Sequence, residues 1–204
     1  MKKIVFRMFR VAMLVMAVAG VISSCGGSDK VAQVDAEAEV AHPDLATFQL
    51  NGAVRSVTYN DDYYFENRTF NFSVDGMLEC DSLVEVERDS IDRIKMLLFP
   101  YKSDTGIDLK YVVSFRYDEK GRVSAIREED HGWSSRARLT YDEKGFVSVD
   151  STKSPEGLSV TTYSDIKVDD KGNWVSRKYE TRNSEKTDSM SNENGTNQRV
   201  IKYY

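Results

Sequence analysis

From about residue 48 onward, apolar and polar positions alternate in short runs, and each run stops at a group of turn-forming residues. Tyr111, Val113, Phe115 and Tyr117 take every second position before Asp118, and Ala137, Leu139 and Tyr141 do the same before Asp142. Period-two alternation that ends at Asp and Gly marks a half-buried strand running into a hairpin. Further strand-like runs are 53–59, 63–71, 77–87, 91–99, 158–169, 173–181 and 198–204. "HGW" (His131–Trp133) and "SPEG" (Ser154–Gly157) read as turns. Residues 183–197 hold a single apolar residue, Met190, and read as a polar loop.

One pattern recurs when the chain is aligned on glycine: "FSVDGML" at Gly76, "YDEKGRV" at Gly121, "YDEKGFV" at Gly145 and "VDDKGNW" at Gly172. The glycine spacings are 45, 24 and 27, so the first gap is close to two units. A three-residue loop, built as a type I turn closed by a left-handed glycine, accounts for the Asp and the Gly. That loop places the residue four before each glycine opposite the residue two after it: Phe72–Leu78, Tyr117–Val123, Tyr141–Val147 and Val168–Trp174. Extending the same register gives Phe70–Cys80, Phe115–Ala125, Leu139–Val149 and Ile166–Ser176. Fifteen of these sixteen positions are apolar or aromatic, whereas the intervening pairs, such as Arg116–Ser124 and Thr140–Ser148, are polar. One wet face and one buried face predict an all-β fold: an antiparallel hairpin meander forming a curved or twisted sheet, with Cys80 buried as a small apolar residue. Three strands between the first and second copies would put their turns at opposite ends of the sheet, so the strand count in 83–109 stays open.

The N-terminus changes the picture. Lys2, Lys3, Arg7 and Arg10 precede an uncharged, mostly aliphatic run over 11–22, followed by Ser23, Ser24 and Cys25. This is the layout of an export signal, and the run is too short to span a bilayer. "ISSC" (Ile22–Cys25) resembles the lipobox of bacterial lipoproteins. The resemblance implies cleavage before Cys25, acylation of that residue, and attachment to the membrane through the N-terminal lipid. The expected organisation is a signal peptide over 1–24, a flexible tether over 25–46 and one β-repeat domain over 47–204. Removing the four cations of the signal takes the formal charge from −5 to −9. An acidic surface repels phosphate backbones, so nucleic acid is not expected as a partner. With Cys25 acylated, Cys80 has no intrachain partner for a disulfide.

The Tyr-Asp-x-x-Gly-x-Val pattern at about 24-residue spacing resembles the YD repeats of RHS-type β-shells. It is also similar to small bacterial envelope lipoproteins with degenerate repeats of this kind, which carry a late "GNW" (Gly172–Trp174) and an "R-x-I-x-Y-Y"-like end (Arg199–Tyr204). The resemblance implies a β-meander in the cell envelope, on the outer membrane by expectation, and brings no catalytic residues with it.

Chemistry is sparse. Two histidines, His42 and His131, are too few for a His-rich metal site, and no zinc-protease, hydrolase-elbow or phosphate-loop motif occurs. Neither enzyme activity, a cofactor nor a metal is expected. The "DEKG" tips have turn roles that account for each residue without a ligand. The expected function is therefore a lipid-anchored interaction or scaffolding module whose partner is an envelope protein or a glycan. The alternative is a glycan- or peptide-binding module using exposed aromatics, with Trp133, beside Gly132 in a turn, as the candidate contact; the aromatics of 59–72 are open to the same role, against the stronger reading that they form strands and fill the core. Four Asp-Ser dipeptides followed by Leu, Ile, Thr or Met resemble acceptors of a periplasmic O-glycosylation system, making Ser82, Ser90, Ser151 and Ser189 candidates.

Overall fold

The computed structural model describes residues 42–65, 67–80, 84–103, 106–185 and 190–204. A short helix, α1 (Pro43–Thr47), leads into β1 (Val54–Asn60), β2 (Thr69–Phe72), β3 (Leu78–Glu79), β4 (Glu85–Arg88), β5 (Ile94–Lys102) and β6 (Asp108–Tyr117). Then follow β7 (Val123–Asp130), β8 (Trp133–Tyr141), β9 (Val147–Lys153), β10 (Gly157–Val168), β11 (Trp174–Glu185) and β12 (Met190–Tyr203). The strands form one antiparallel sheet in the order β3-β2-β1-β12-β11-β10-β9-β8-β7-β6-β5-β4. The fold is all-β, as the alternation predicts, and the sheet is strongly curled. A flat sheet of this size would hold its edges about 50 Å apart. Yet Phe70 on β2 and Phe99 on β5 bring their ring centroids within 6.5 Å. No ladder joins the edge strands β3 and β4 among the described residues.

The seam between those edges is closed by a side chain. Asp44 on α1 is fully buried. Its Oδ2 accepts the Leu78 N–H of β3 at 2.7 Å, and Arg88 of β4 donates to both carboxylate oxygens at 2.6 and 2.8 Å. One carboxylate thus satisfies an edge-strand amide and a two-pronged guanidinium from the opposite edge. A helix of five residues has no stability of its own. Here Leu45 and Phe48 sink into the core, and Arg199 of β12 donates to the carbonyls of Phe48 and Gln49 that the helix end leaves open. Residues 43–46 therefore belong to the domain, and the tether expected to reach residue 46 ends before α1.

Five hairpins point their tips toward this same end. Residues 73–77, 89–93, 118–122, 142–146 and 169–173 share one hydrogen-bond pattern, in which the first N–H donates to the fifth carbonyl and the fourth N–H to the first carbonyl. The Asp at the first position explains its own recurrence. Asp118 Oδ1 accepts the N–H groups of Lys120 and Arg122, both at 2.9 Å, and Asp89, Asp142 and Asp169 do likewise. Gly76, Gly121, Gly145 and Gly172 have φ of 84°, 77°, 87° and 78°, so the left-handed turn is present in each. The second hairpin, Asp89–Arg93, lacks a glycine and puts Asp92 at φ 66° instead, which hides it from an alignment on glycine. It resolves the strand count: 77–87 is two strands, β3 and β4, at opposite edges of the sheet.

The "Tyr" of each Tyr-Asp pair links one hairpin to the one before. Tyr117 donates to the Ile94 carbonyl at 2.5 Å, and Tyr141 to the Val123 carbonyl at 2.6 Å. Arg93 and Arg122 lie over the rings of Tyr117 and Tyr141 at 4.3 and 4.2 Å. The predicted first pairs, Phe72–Leu78, Tyr117–Val123, Tyr141–Val147 and Val168–Trp174, are all present. The second set is corrected. A β-bulge follows each of the last three first-set pairs and shifts the register by one, giving Phe115 opposite Ile126, Leu139 opposite Asp150 and Lys167 opposite Ser176. The bulge turns Ile126, Asp150 and Arg177 inward in place of Ala125, Val149 and Ser176. Phe70–Cys80 also fails, because β3 stops at Glu79 and leaves Cys80 exposed beyond it.

Two further expectations change. Residues 63–65, 67 and 68 form a loop rather than the start of a strand, and the described part of the segment read as a polar loop is mostly ladder, with β11 and β12 paired from Ser176–Gln198 out to Ser184–Met190. Polar residues on both faces hid the strand period.

Removal of one partner from the seam should be costly. Arg88→Ala strands a buried carboxylate and is expected to destabilise the full chain by about 3 kcal/mol; Arg88→Lys, which cannot bridge both oxygens, should restore only part of that in urea denaturation. The turn glycines should separate as well. A Cβ on Gly121 meets no atom within 4 Å, but one on Gly76 falls 2.8 Å from Leu45 Cδ1. Gly121→Ala should cost about 1 kcal/mol for the left-handed backbone, Gly76→Ala distinctly more, and Glu119→Ala at the exposed tip well under 1 kcal/mol.

Candidate functional site

At the end of the sheet away from α1, the loop 61–68 folds inward and faces the long strands β10–β12. It leaves a cleft of about 520 Å³. The wall is a set of cross-strand pairs between β10 and β11: Ser159–Asn183, Thr161–Thr181 and Tyr163–Tyr179. Successive pairs on one face are two residues apart, so hydroxyl, amide and phenol groups form one surface. The Tyr179 ring lies against Gly195 of β12, where any Cβ would fall within 2.8 Å of it. Glycine in that strand is required by the close approach of the ring.

On the loop side, Tyr63 is 62 % exposed, and its ring meets Tyr64 edge-on at 5.1 Å. Tyr64 itself is anchored: its hydroxyl donates to Asp150 at 2.6 Å. Asp62 accepts the N–H groups of Tyr64 and Phe65 and pairs with Arg177 at 3.4 Å. Arg177 in turn lies over Tyr163 at 3.8 Å and Trp174 at 4.3 Å. The loop is thus bolted to the wall by buried polar contacts, and Tyr63 is the large ring it leaves in solvent.

The lining is acidic. Asp61, Asp62, Asp150, Glu156 and Glu193 contribute to it, and no Lys or Arg does among the described residues. Burial pushes the Tyr63 hydroxyl up to about 12, with the nearby carboxylates of Glu128, Asp150 and Glu156 adding to the shift. Burial, and then Glu193 and Asp61, raise Tyr179 as well. Beneath the loop, Asp150 and Glu128 are raised from the ordinary carboxylate range, burial being the largest cause for each. Both are held by hydroxyls rather than by a cation at contact: Asp150 by Tyr64 and Thr152, Glu128 by Tyr111 and Ser135.

Trp133 follows the His131–Gly132 turn and is half-buried, its indole N–H donating to Glu156 at 3.0 Å. It orients a lining carboxylate. The aromatics of 59–72 follow the core-packing reading except at one position: Tyr59, Tyr64, Phe65, Phe70 and Phe72 are buried, and Tyr63 is exposed. Ser90 is exposed on the second hairpin, while Ser151 sits in β9 between β8 and β10. Cys25, Ser82 and Ser189 lie outside the described residues. The four turn glycines are at the opposite end, so the repeated tips take no part in the cleft. Sequence reasoning held Tyr63 only as one of the 59–72 aromatics and missed Tyr163, Tyr179 and the five acids, because nothing in their spacing separates them from other Tyr and acids of the chain.

The "GNW" and C-terminal motifs meet at the α1 end. Asn173 is fully buried, accepts the Asn51 N–H at 2.7 Å, and donates to the Asn51 carbonyl and the Tyr203 hydroxyl. Arg199 lies over Trp174 at 4.1 Å, and Tyr204 donates to the Phe72 carbonyl at 2.5 Å. These residues dock the N-terminal segment.

No family model matches the chain, and no curated protein does. Among solved structures, a porin-like protein from Bacteroides uniformis is similar, with a TM-score of 0.39 and 9 % identity over 74 % of this chain and 98 % of that one. A likeness at that level carries no functional argument.

The raised carboxyls set a pH dependence. A folded value above the unfolded one means the folded state holds the proton more tightly. That stabilisation is complete at low pH and is lost as pH rises from the ordinary carboxylate range through the raised value. Asp150→Asn removes its share, so the stability of the variant relative to the parent should climb as pH rises above the ordinary carboxylate range. Urea midpoints across that rise check it, and a flat or falling difference would contradict the assignment.

Proposed function

We propose that the chain is a non-catalytic binding module of the bacterial cell envelope, tethered through lipid on Cys25, with the cleft between loop 61–68 and strands β9–β12 as its ligand site. The observation that carries this reading is the anchored loop holding Tyr63 in solvent opposite the hydroxyl and amide wall. Sites for small or extended ligands combine an aromatic surface with a few oriented polar groups, and the cleft offers both. The lining carboxylates support binding over catalysis, since Asp150 and Glu156 are engaged by Tyr64, Thr152, Ser154 and Trp133.

The basic start, the short apolar run and "ISSC" support the tether. The described chain starts at the α1 end, so the tether would join the domain at the end opposite the cleft. The outward face also suits an aqueous setting: Arg116, Arg127, Arg136, Arg138 and Lys153 project from it, exposed, where a membrane-spanning barrel needs an apolar band.

One experiment covers both halves. Soluble glycans and peptides are screened against the parent, Ser159→Trp, which fills the cleft, and Cys25→Ser. Cys25→Ser should leave the membrane fraction with its ligand binding intact, and Ser159→Trp should stay in that fraction while losing ligand binding. Ligand binding indifferent to Ser159→Trp would remove the cleft from the function, and a Cys25→Ser variant still labelled by a fatty-acid analogue would remove the lipid.

A further inference from the structure

The cleft has a chemical bias that narrows its ligand. The chain as a whole is acidic, 33 acids against 28 bases, four of which fall in residues 1–24. The cleft goes further: five acids line it, with no base among the described residues. Arg177, the nearest cation, is buried beneath the lining and already committed to Asp62 and to the faces of Tyr163 and Trp174. Two of the acids, Asp61 and Glu193, are exposed, and both act electrostatically on Tyr179. Glu128, Asp150 and Glu156 act in the same way on Tyr63.

Resting on the reading of the cleft as a ligand site, we infer that its ligand is cationic, an alkylammonium or guanidinium group seated between the Tyr63 and Tyr179 rings and the carboxylates of Asp61 and Glu193. The electron-rich faces of tyrosine attract such cations, and flanking carboxylates add a Coulombic pull while the cavity removes part of the water. A neutral sugar would gain from the rings and the hydroxyl wall but would draw nothing from the excess of negative charge. A phosphate or an acidic peptide would be repelled. The cavity is several times the size of one ammonium group, so it also accommodates the stem that carries the charge. Two sources present this chemistry, a free polyamine and the Lys or Arg side chains of a basic peptide.

The test uses the full chain with spermidine, trilysine and maltoheptaose as probes, followed by calorimetry at 50 and 500 mM salt. Asp61→Asn with Glu193→Gln removes two exposed charges; asparagine tolerates the φ of 56° at position 61, and circular dichroism confirms that the variant is folded. Spermidine or trilysine should bind, weaken by about tenfold or more in the double variant, weaken again at high salt, and lose binding in Ser159→Trp. Preference for trilysine identifies a peptide source, and preference for spermidine a polyamine. Binding of maltoheptaose alone, abolished by Ser159→Trp, would overturn the cationic class while leaving the cleft as the site. Cation binding that ignores Ser159→Trp would overturn the cleft itself, and absence of binding by any of the three would overturn the inference.

Discussion

A sheet whose two edges never pair must be held closed by something else, and here that something is the carboxylate of Asp44. Edge strands present unpaired amides and carbonyls, and a curled sheet that stops short of closure keeps two such edges side by side. Asp44 takes the Leu78 amide from one edge and the Arg88 guanidinium from the other, within a buried setting that leaves no water to substitute. The strength of that arrangement comes from its completeness: both carboxylate oxygens are satisfied, and the guanidinium meets them in the two-pronged geometry that favours arginine. It also explains why a five-residue helix survives at the start of the domain. The helix exists because its first turn carries the closing residue and its end is held by Arg199.

Much of this fold was legible. Alternation and the Asp-Gly spacing gave the strands from β6 to β11 and the first cross-strand pairs, since those depend on local turn chemistry. What local chemistry does not state is the bulge that follows. Val123–Ser124, Val147–Ser148 and Trp174–Val175 differ in no obvious way from an unbulged continuation, yet one inserted residue at each moves Ile126, Asp150 and Arg177 inward and Ala125, Val149 and Ser176 away. The cost of the bulge is a displaced carbonyl. At Ile94 and Val123 the next Tyr hydroxyl accounts for it, which gives the tyrosine of the Tyr-Asp pair a reason beyond packing.

The cleft was illegible for a related reason. Its wall reads as a polar tract because strands that line a wet cavity on one face and solvent on the other have no hydrophobic period. Residues 183, 184 and 190–197 look like loop, although they are held by consecutive ladder bonds between β11 and β12. Only Gly195 hinted at structure, being a lone glycine where the Tyr179 ring comes close, but that need is created by the partner strand and is invisible along the chain. Cys80 failed in the opposite direction. Its register opposite Phe70 suggested a longer hairpin, while the strand that would have buried it ends after two residues at the sheet edge.

The two ends of the sheet are therefore specified by different physics. At the α1 end, turn geometry dictates residue identity, so Asp and Gly recur with little freedom and the motifs Gly172–Trp174 and Arg199–Tyr204 interlock with the N-terminal segment. At the cleft end the turns are more varied, from the tight His131–Gly132 reversal to the loop that begins at Asp61, with Gly106 alone among the described residues repeating the left-handed glycine turn of the other end. Such a division lets one end hold the domain together while side chains at the other change without cost to closure. The connection between them is the column from Arg199 through Trp174 to Arg177 and Tyr163, a stack of cations and rings that runs from the docked helix to the cleft wall. A cleft built on that column inherits its rigidity, which is what a site needs if the rings that meet a ligand are to be in place before the ligand arrives.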